Sequence, residues 1–193
     1  HANQARITTF PLEQKKNSKS ISSKNMKKLF NPEVEVVYAY DVIEFARKQK
    51  YFSGKDSEFS FSDTYNPLDF GGLRFCEARV WSFFRVVDTS TERFLSYING
   101  ETKERMPLWV KPSTKLSAQD MKNFMRNHYE GTPLDMTQGM GCGAYNSPFR
   151  PSPLTYQVDS VEYFHERPVG TQQTGFTFVA QMRHWLPDPV GGI

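Results

Sequence analysis

The run NPLDFGGLRFCEARVWSFFR (66–85) constrains this chain most, because its apolar residues recur with the period of a packed helix. Cys76, Val80, Phe83, Phe84 and Val87 follow the i, i+4, i+7, i+8, i+11 rhythm, which predicts a helix over 73–88 with one side turned to a core. Arg79 falls on that same side, among positions 76, 79, 80 and 83. An unpaired guanidinium in an interior costs several kcal/mol, so the fold must give Arg79 an anionic or carbonyl partner or a polar cavity. Two readings follow, a structural arginine tied to a core carboxylate or backbone carbonyl, and a functional one beside a reacting centre.

At 193 residues the chain has the length of one ordinary domain. Aromatics make up 15% of it, led by sixteen Phe and nine Tyr, so the core is expected to be built from rings. The formal charge of +3 owes much to Lys15, Lys16, Lys19, Lys24, Lys27 and Lys28. These lysines alternate with Ser and Asn and have no arginine or aromatic cluster beside them, which reads as a solvated surface excursion over 14–30 and not as a nucleic-acid surface. No run approaches the roughly eighteen to twenty apolar residues of a membrane span.

Further elements follow from local pattern. A short strand is expected over 2–10. Asp41 with Glu44 three residues on marks a helix start, and Val42, Phe45 and Ala46 give that helix, within 40–52, an apolar stripe. Residues 53–72 read as an extended crossing anchored by Phe59 and Phe61, and 91–112 as a linker with a short strand. Ser117 with Asp120 opens another helix, whose face carries Met121, Phe124, Met125 and His128 and whose stop is Gly131. The Gly- and Pro-dense 132–153 reads as an irregular loop of the kind that borders functional sites. Strands are expected over 160–165 and 174–185, the latter with Phe176, Phe178, Ala180 and Met182 on one face.

Familiar catalytic patterns are missing. Four histidines show no HExxH or paired spacing, the two cysteines lack metal-ligand spacing, and neither GxSxG nor a phosphate-binding GxxxxGK[ST] occurs. No metal or other cofactor is expected. Cys142, set between glycines, has no identifiable His partner and reads as a small loop residue.

The 66–85 run, NHYEGTPLDMTQG (127–139) and TQQTGFTFVAQMRHWLPDPVGGI (171–193) together resemble the C69 family of dipeptidases, which are N-terminal nucleophile hydrolases. The resemblance implies an α+β fold, part of an αββα sandwich with helices packed on antiparallel sheet, and residues 1–193 as an internal segment of a single such domain. It implies a thiol at the mature N-terminus attacking a dipeptide carbonyl, its own α-amine serving as base, through a thioester. Residue 1 here is His, and the opening HANQARITTF has no initiator Met, so the chain reads as the interior of an enzyme whose nucleophile lies elsewhere, inactive by itself. Arg79 matches the arginine placed beside the nucleophile in this superfamily. Asn3 matches the Asn whose amide donates to the oxyanion, with a strand-end cap as its structural alternative. Gln172, Gln173 and Thr174 are candidate substrate contacts, and Glu130 and Asp135 are as well suited to fixing their loop. An open sandwich would leave apolar faces uncovered, so self-association or a homo-oligomer is expected. Two alternatives stay open: a non-catalytic binding domain on the same fold, and an amidase of the bile-salt hydrolase or penicillin acylase kind.

Overall fold

The computed structural model describes residues 4–13, 19–139, 142–149 and 155–191. Its elements are helices with two small two-stranded sheets, consistent with an α+β protein. The described residues divide into two compact units, one within 4–68 and one within 69–193.

In the 4–68 unit, β1 (Ser20–Ser22) pairs in parallel with β2 (Val36–Tyr38), Ile21 opposite Val37. Helix α1 (Val42–Lys48) starts where Asp41 and Glu44 mark it, although the Asp41 side chain makes no cap hydrogen bond. Val42, Ile43 and Ala46 are buried on one side and pack with Phe59, around which Phe10, Tyr38, Phe52, Phe61 and Tyr65 gather. The expectation of a ring-built core holds here. Phe59 meets Phe52 edge-on at 5.3 Å, and Tyr65 touches the rings of Phe45, Tyr51, Phe59 and Phe61. The Tyr65 hydroxyl donates to the Val42 carbonyl.

Two expectations need correction in this unit. The described part of the 2–10 strand is non-regular, and the Ile7 and Thr8 carbonyls accept instead from the N–H groups of Ser62 and Phe61. Those donors open helix α2 (Phe61–Tyr65), which occupies part of the supposed extended crossing. Ser60 caps it by accepting from Asp63 N at 3.4 Å, a local signal that outweighs the Phe59/Phe61 alternation.

The 69–193 unit centres on a two-part helix. A π-helix, Gly72–Glu77, runs directly into α3 (Ala78–Val87). Val80, Phe84 and Val87 are buried as the periodicity requires, together with Leu73 and Trp81, whose indole N–H donates to the Thr91 carbonyl at 3.2 Å. Phe83 is half-buried and packs on Phe124 at 4.3 Å. The wider π turn shifts the face that positions before 78 present, which leaves Cys76 half-buried and buries Glu77 in its stead. Tyr97 O–H donates to that carboxylate at 3.3 Å.

The 91–112 linker contains no strand. A 3-10 turn (Thr89–Phe94) leads into α4 (Leu95–Ile98), burying Phe94, Tyr97 and Ile98, and Gly100 turns the chain out at φ 77°. Helix α5 (Ala118–Phe124) begins with the expected reciprocal cap, Ser117 accepting from Asp120 N while the Asp120 carboxylate accepts from Ser117 N. It ends at Phe124, well before Gly131. A left-handed Tyr129 (φ 66°) turns the chain first, and Gly131 (φ 71°) serves the following loop, its N–H donating to Asp135.

The hairpin β3 (Thr155–Val158) and β4 (Val161–Phe164) realises the strand expected over 160–165. Asp159 and Ser160, both at positive φ, form its two-residue turn, matching the right-handed twist of the strands. The strand expected over 174–185 is not formed. Among the described residues no strand pairs with it, and Phe176 and Phe178 stay 83% and 71% exposed. Alternation marks a face to be covered but supplies no backbone partner. A short helix, α6 (Asp188–Gly191), follows.

Candidate functional site

The 127–139 run builds its own compact loop. Tyr129 is fully buried, and its N–H donates to Asn127 Oδ1 while its carbonyl accepts from both Thr132 N and Thr132 Oγ1. Asp135 closes the loop. Burial opposes its ionisation, but hydrogen bonds from the hydroxyl and N–H of Thr137, from Gly131 N and from Gln138 outweigh it and hold the carboxyl below its usual range. Glu130 accepts from His128 N at 2.7 Å and pairs with His128 Nδ1 at 3.0 Å. Both acids of this motif therefore fix the loop.

Residues 165–173 pack on that loop. Gly170 N donates to the Asn127 carbonyl at 3.1 Å, and a Cβ at Gly170 would come to 3.0 Å from His128 Nε2 and 3.3 Å from the Arg126 carbonyl carbon, so a larger residue would have to push the imidazole aside. Tyr129 O–H donates to the Arg167 carbonyl at 2.7 Å. The two segments, together with Pro148 and Phe149, line a small cleft with a volume of about 30 Å³. Met136, Phe149 and Pro168 form its apolar wall, and Glu166, Gln172 and Gln173 its polar edge. That volume holds a water or a methyl group, not a ring.

The sequence candidates fall in different places. Gln172 and Gln173 line the cleft. Thr174 lies just beyond it, its N–H donating to the Thr171 carbonyl at 2.9 Å. Arg79 is half-buried on α3, and its Nε donates to the Phe75 carbonyl one turn earlier at 2.7 Å, one of the partners the interior position requires. It does not line the cleft, but its charge reaches Tyr129. Burial, and secondarily the Glu166 carboxylate, push that phenol well above the ordinary tyrosine value, with Arg79 and Arg74 pulling against them. Asn3 lies outside the described residues.

Sequence reasoning missed Arg74 and Glu166. The guanidinium grips both carboxylate oxygens and donates also to Asn99 Oδ1 at 2.9 Å, with side chains only 14% and 19% exposed. The partners are 92 residues apart, and the one available signal was a second charge, Arg74, entering the same helix as Arg79. Among the described residues, no group of three His, Cys, Asp or Glu side chains could hold a metal ion, and no helix is long and apolar enough to cross a membrane.

A buried phenol under the charge of Arg79 and Arg74 thus stands beside a polar edge of Glu166, Gln172 and Gln173. The family model for Peptidase family C69 matches residues 1–193, and the chain belongs to that family. A "Probable dipeptidase" from Salmonella dublin is 26% identical over 152 residues, covering 79% of this chain and 29% of the relative. The chain thus spans less than a third of the curated relative it matches. No solved structure matches the chain.

Proposed function

We propose that this chain forms part of a cysteine-type N-terminal nucleophile peptidase that hydrolyses dipeptides, and that it contributes cleft walls and not the nucleophile. The family match over residues 1–193 carries this reading, with the dipeptidase relative narrowing the substrate. In this proposal residues 1–193 belong to a single αββα domain; of the excursion expected over 14–30, Ser23–Lys28 is exposed throughout, whereas Ser20–Ser22 is buried as β1 and does not project.

The chemistry requires a thiolate whose own α-amine accepts its proton, and an α-amine, with a reference pKa of about 7.7–8.0, suits that exchange near neutrality. Sulfur attacks the peptide carbonyl, the oxyanion collapses to a thioester as the leaving amine takes the proton, and water then releases the acyl half. Cys76 lies within a π-helix and Cys142 within a loop, and neither carries a free α-amine. Asn3 is assigned the oxyanion donor, a role whose loss typically costs about a hundred- to a thousandfold in rate. Arg79 is assigned the cation beside the reacting centre, and Gln172, Gln173 and Thr174 the edge that hydrogen-bonds the dipeptide backbone. By itself, 1–193 turns over no dipeptide. Phe176, Phe178, Met182 and Trp185, all more than 60% exposed, support self-association of the isolated chain.

The test is to trap the acyl-enzyme. The protein from its complete reading frame, mixed with a dipeptide and acid-quenched, should carry the acyl mass on an N-terminal cysteine. An adduct on Cys76 or Cys142, or turnover without any thioester, sinks the mechanism.

A further inference from the structure

The segment leading into the polar cleft edge is fastened at successive points. Phe164 packs edge-on against both Phe70 and Phe75, with ring centroids 5.5 Å and 4.9 Å away. Glu166 is gripped by Arg74, the Arg167 carbonyl accepts from Tyr129, and Gly170 N donates to Asn127. Gln172 and Gln173 follow directly. Of these fastenings the ion pair alone is charged and two-pronged, and Arg74 is further oriented by Asn99. Its cationic end sits in the π-helix that continues into the helix bearing Arg79, whereas its anionic end lines the cleft.

We propose that the Arg74–Glu166 pair is a positioning device for substrate binding, fixing the Gln172–Gln173 edge to the helix that carries Arg79. This rests on the dipeptidase reading above. A planar fork on a carboxylate sets direction as well as distance, which a single lysine or an amide does not reproduce. Because the edge contacts substrate away from the reacting carbonyl, its displacement weakens ground-state and transition-state binding alike, and KM bears the effect while kcat does not.

The experiment compares wild type, Glu166→Gln and Arg74→Lys in the protein from its complete reading frame, by dipeptide kinetics and by amide hydrogen exchange. The expected result is that Glu166→Gln raises KM about tenfold, with kcat held within about threefold. Exchange should quicken over 165–174 and stay unchanged over 42–48. Arg74→Lys should show the same pattern at smaller size, and it decides the matter if Glu166→Gln fails to fold. An unchanged KM in a folded variant, or a fall in kcat with KM constant, overturns the positioning role even where exchange quickens. A wild type that hydrolyses no dipeptide fells the functional reading and this proposal together, whereas an active wild type with insensitive variants fells this proposal alone.

Discussion

Removing one oxygen, by Tyr129→Phe, tests how the two loops that form the cleft are joined. The ring is fully buried and the hydroxyl donates to the Arg167 carbonyl at 2.7 Å, so phenylalanine keeps the packing and deletes only that bond. A net hydrogen bond together with a carbonyl left short of its donor amounts to about 1–2 kcal/mol. The pH dependence gives a second, independent signature. An unfolded tyrosine titrates near 10, whereas burial and the Glu166 charge keep the folded phenol protonated well beyond that. Below pH 10 both states hold the proton and the stabilisation is complete. Above it the unfolded chain loses the proton first, so wild-type stability falls, by about 1.4 kcal/mol at pH 11. Tyr129→Phe lacks this fall, and its deficit of about 1–2 kcal/mol at pH 8 should nearly vanish at pH 11. Urea unfolding followed by tryptophan fluorescence, with Trp81 as the buried reporter, measures both. A deficit under about 0.5 kcal/mol at pH 8, or one that stays constant to pH 11, refutes the reasoning.

Other perturbations probe the remaining parts. Trp81→Ala empties a site 1% exposed and removes the indole bond to Thr91, which should cost about 3–5 kcal/mol and abolish near-ultraviolet circular dichroism from the 69–193 unit. Asp135, whose folded carboxyl is held low, contributes stability present above about pH 4 and lost as pH falls further; Asp135→Asn should flatten that acid limb in thermal melts between pH 5 and 2.5. Arg79→Ala in the protein from its complete reading frame should lower turnover far more than the melting temperature, and equal loss of both favours the structural role that its bond to Phe75 already supports. Light scattering of 1–193 should show mass rising with concentration, and a monodisperse monomer across a wide range contradicts self-association.

What the sequence made legible was local. The reciprocal cap of Ser117 and Asp120, the burial of Val42 and Ala46 on α1, and that of Val80, Phe84 and Val87 each depend on residues within three or four positions, where spacing is information, although Phe45 of the expected α1 stripe is exposed and Ile43 is buried in its place. The π turn defeated the same logic at Cys76 and Glu77, because one longer turn rotates every position before it. The alternation over 174–185 said nothing about a backbone partner; no strand forms there, and Phe176, Phe178, Ala180 and Met182 are all exposed. At the cleft, Gln172 and Gln173 were found by their polarity ahead of an apolar run. Arg74 and Glu166 were not, since a contact spanning 92 residues leaves no mark in local spacing. Glu130 and Asp135 illustrate the converse, acids that look chemical in a motif and are consumed by their own loop.

The measurement that bears most directly on the central claim is dipeptide hydrolysis by residues 1–193 and by the protein from its complete reading frame, side by side, with and without a thiol alkylating agent. The account predicts turnover by the complete protein only, abolished by alkylation. Turnover by 1–193 alone, or alkylation-resistant turnover by the complete protein, contradicts it.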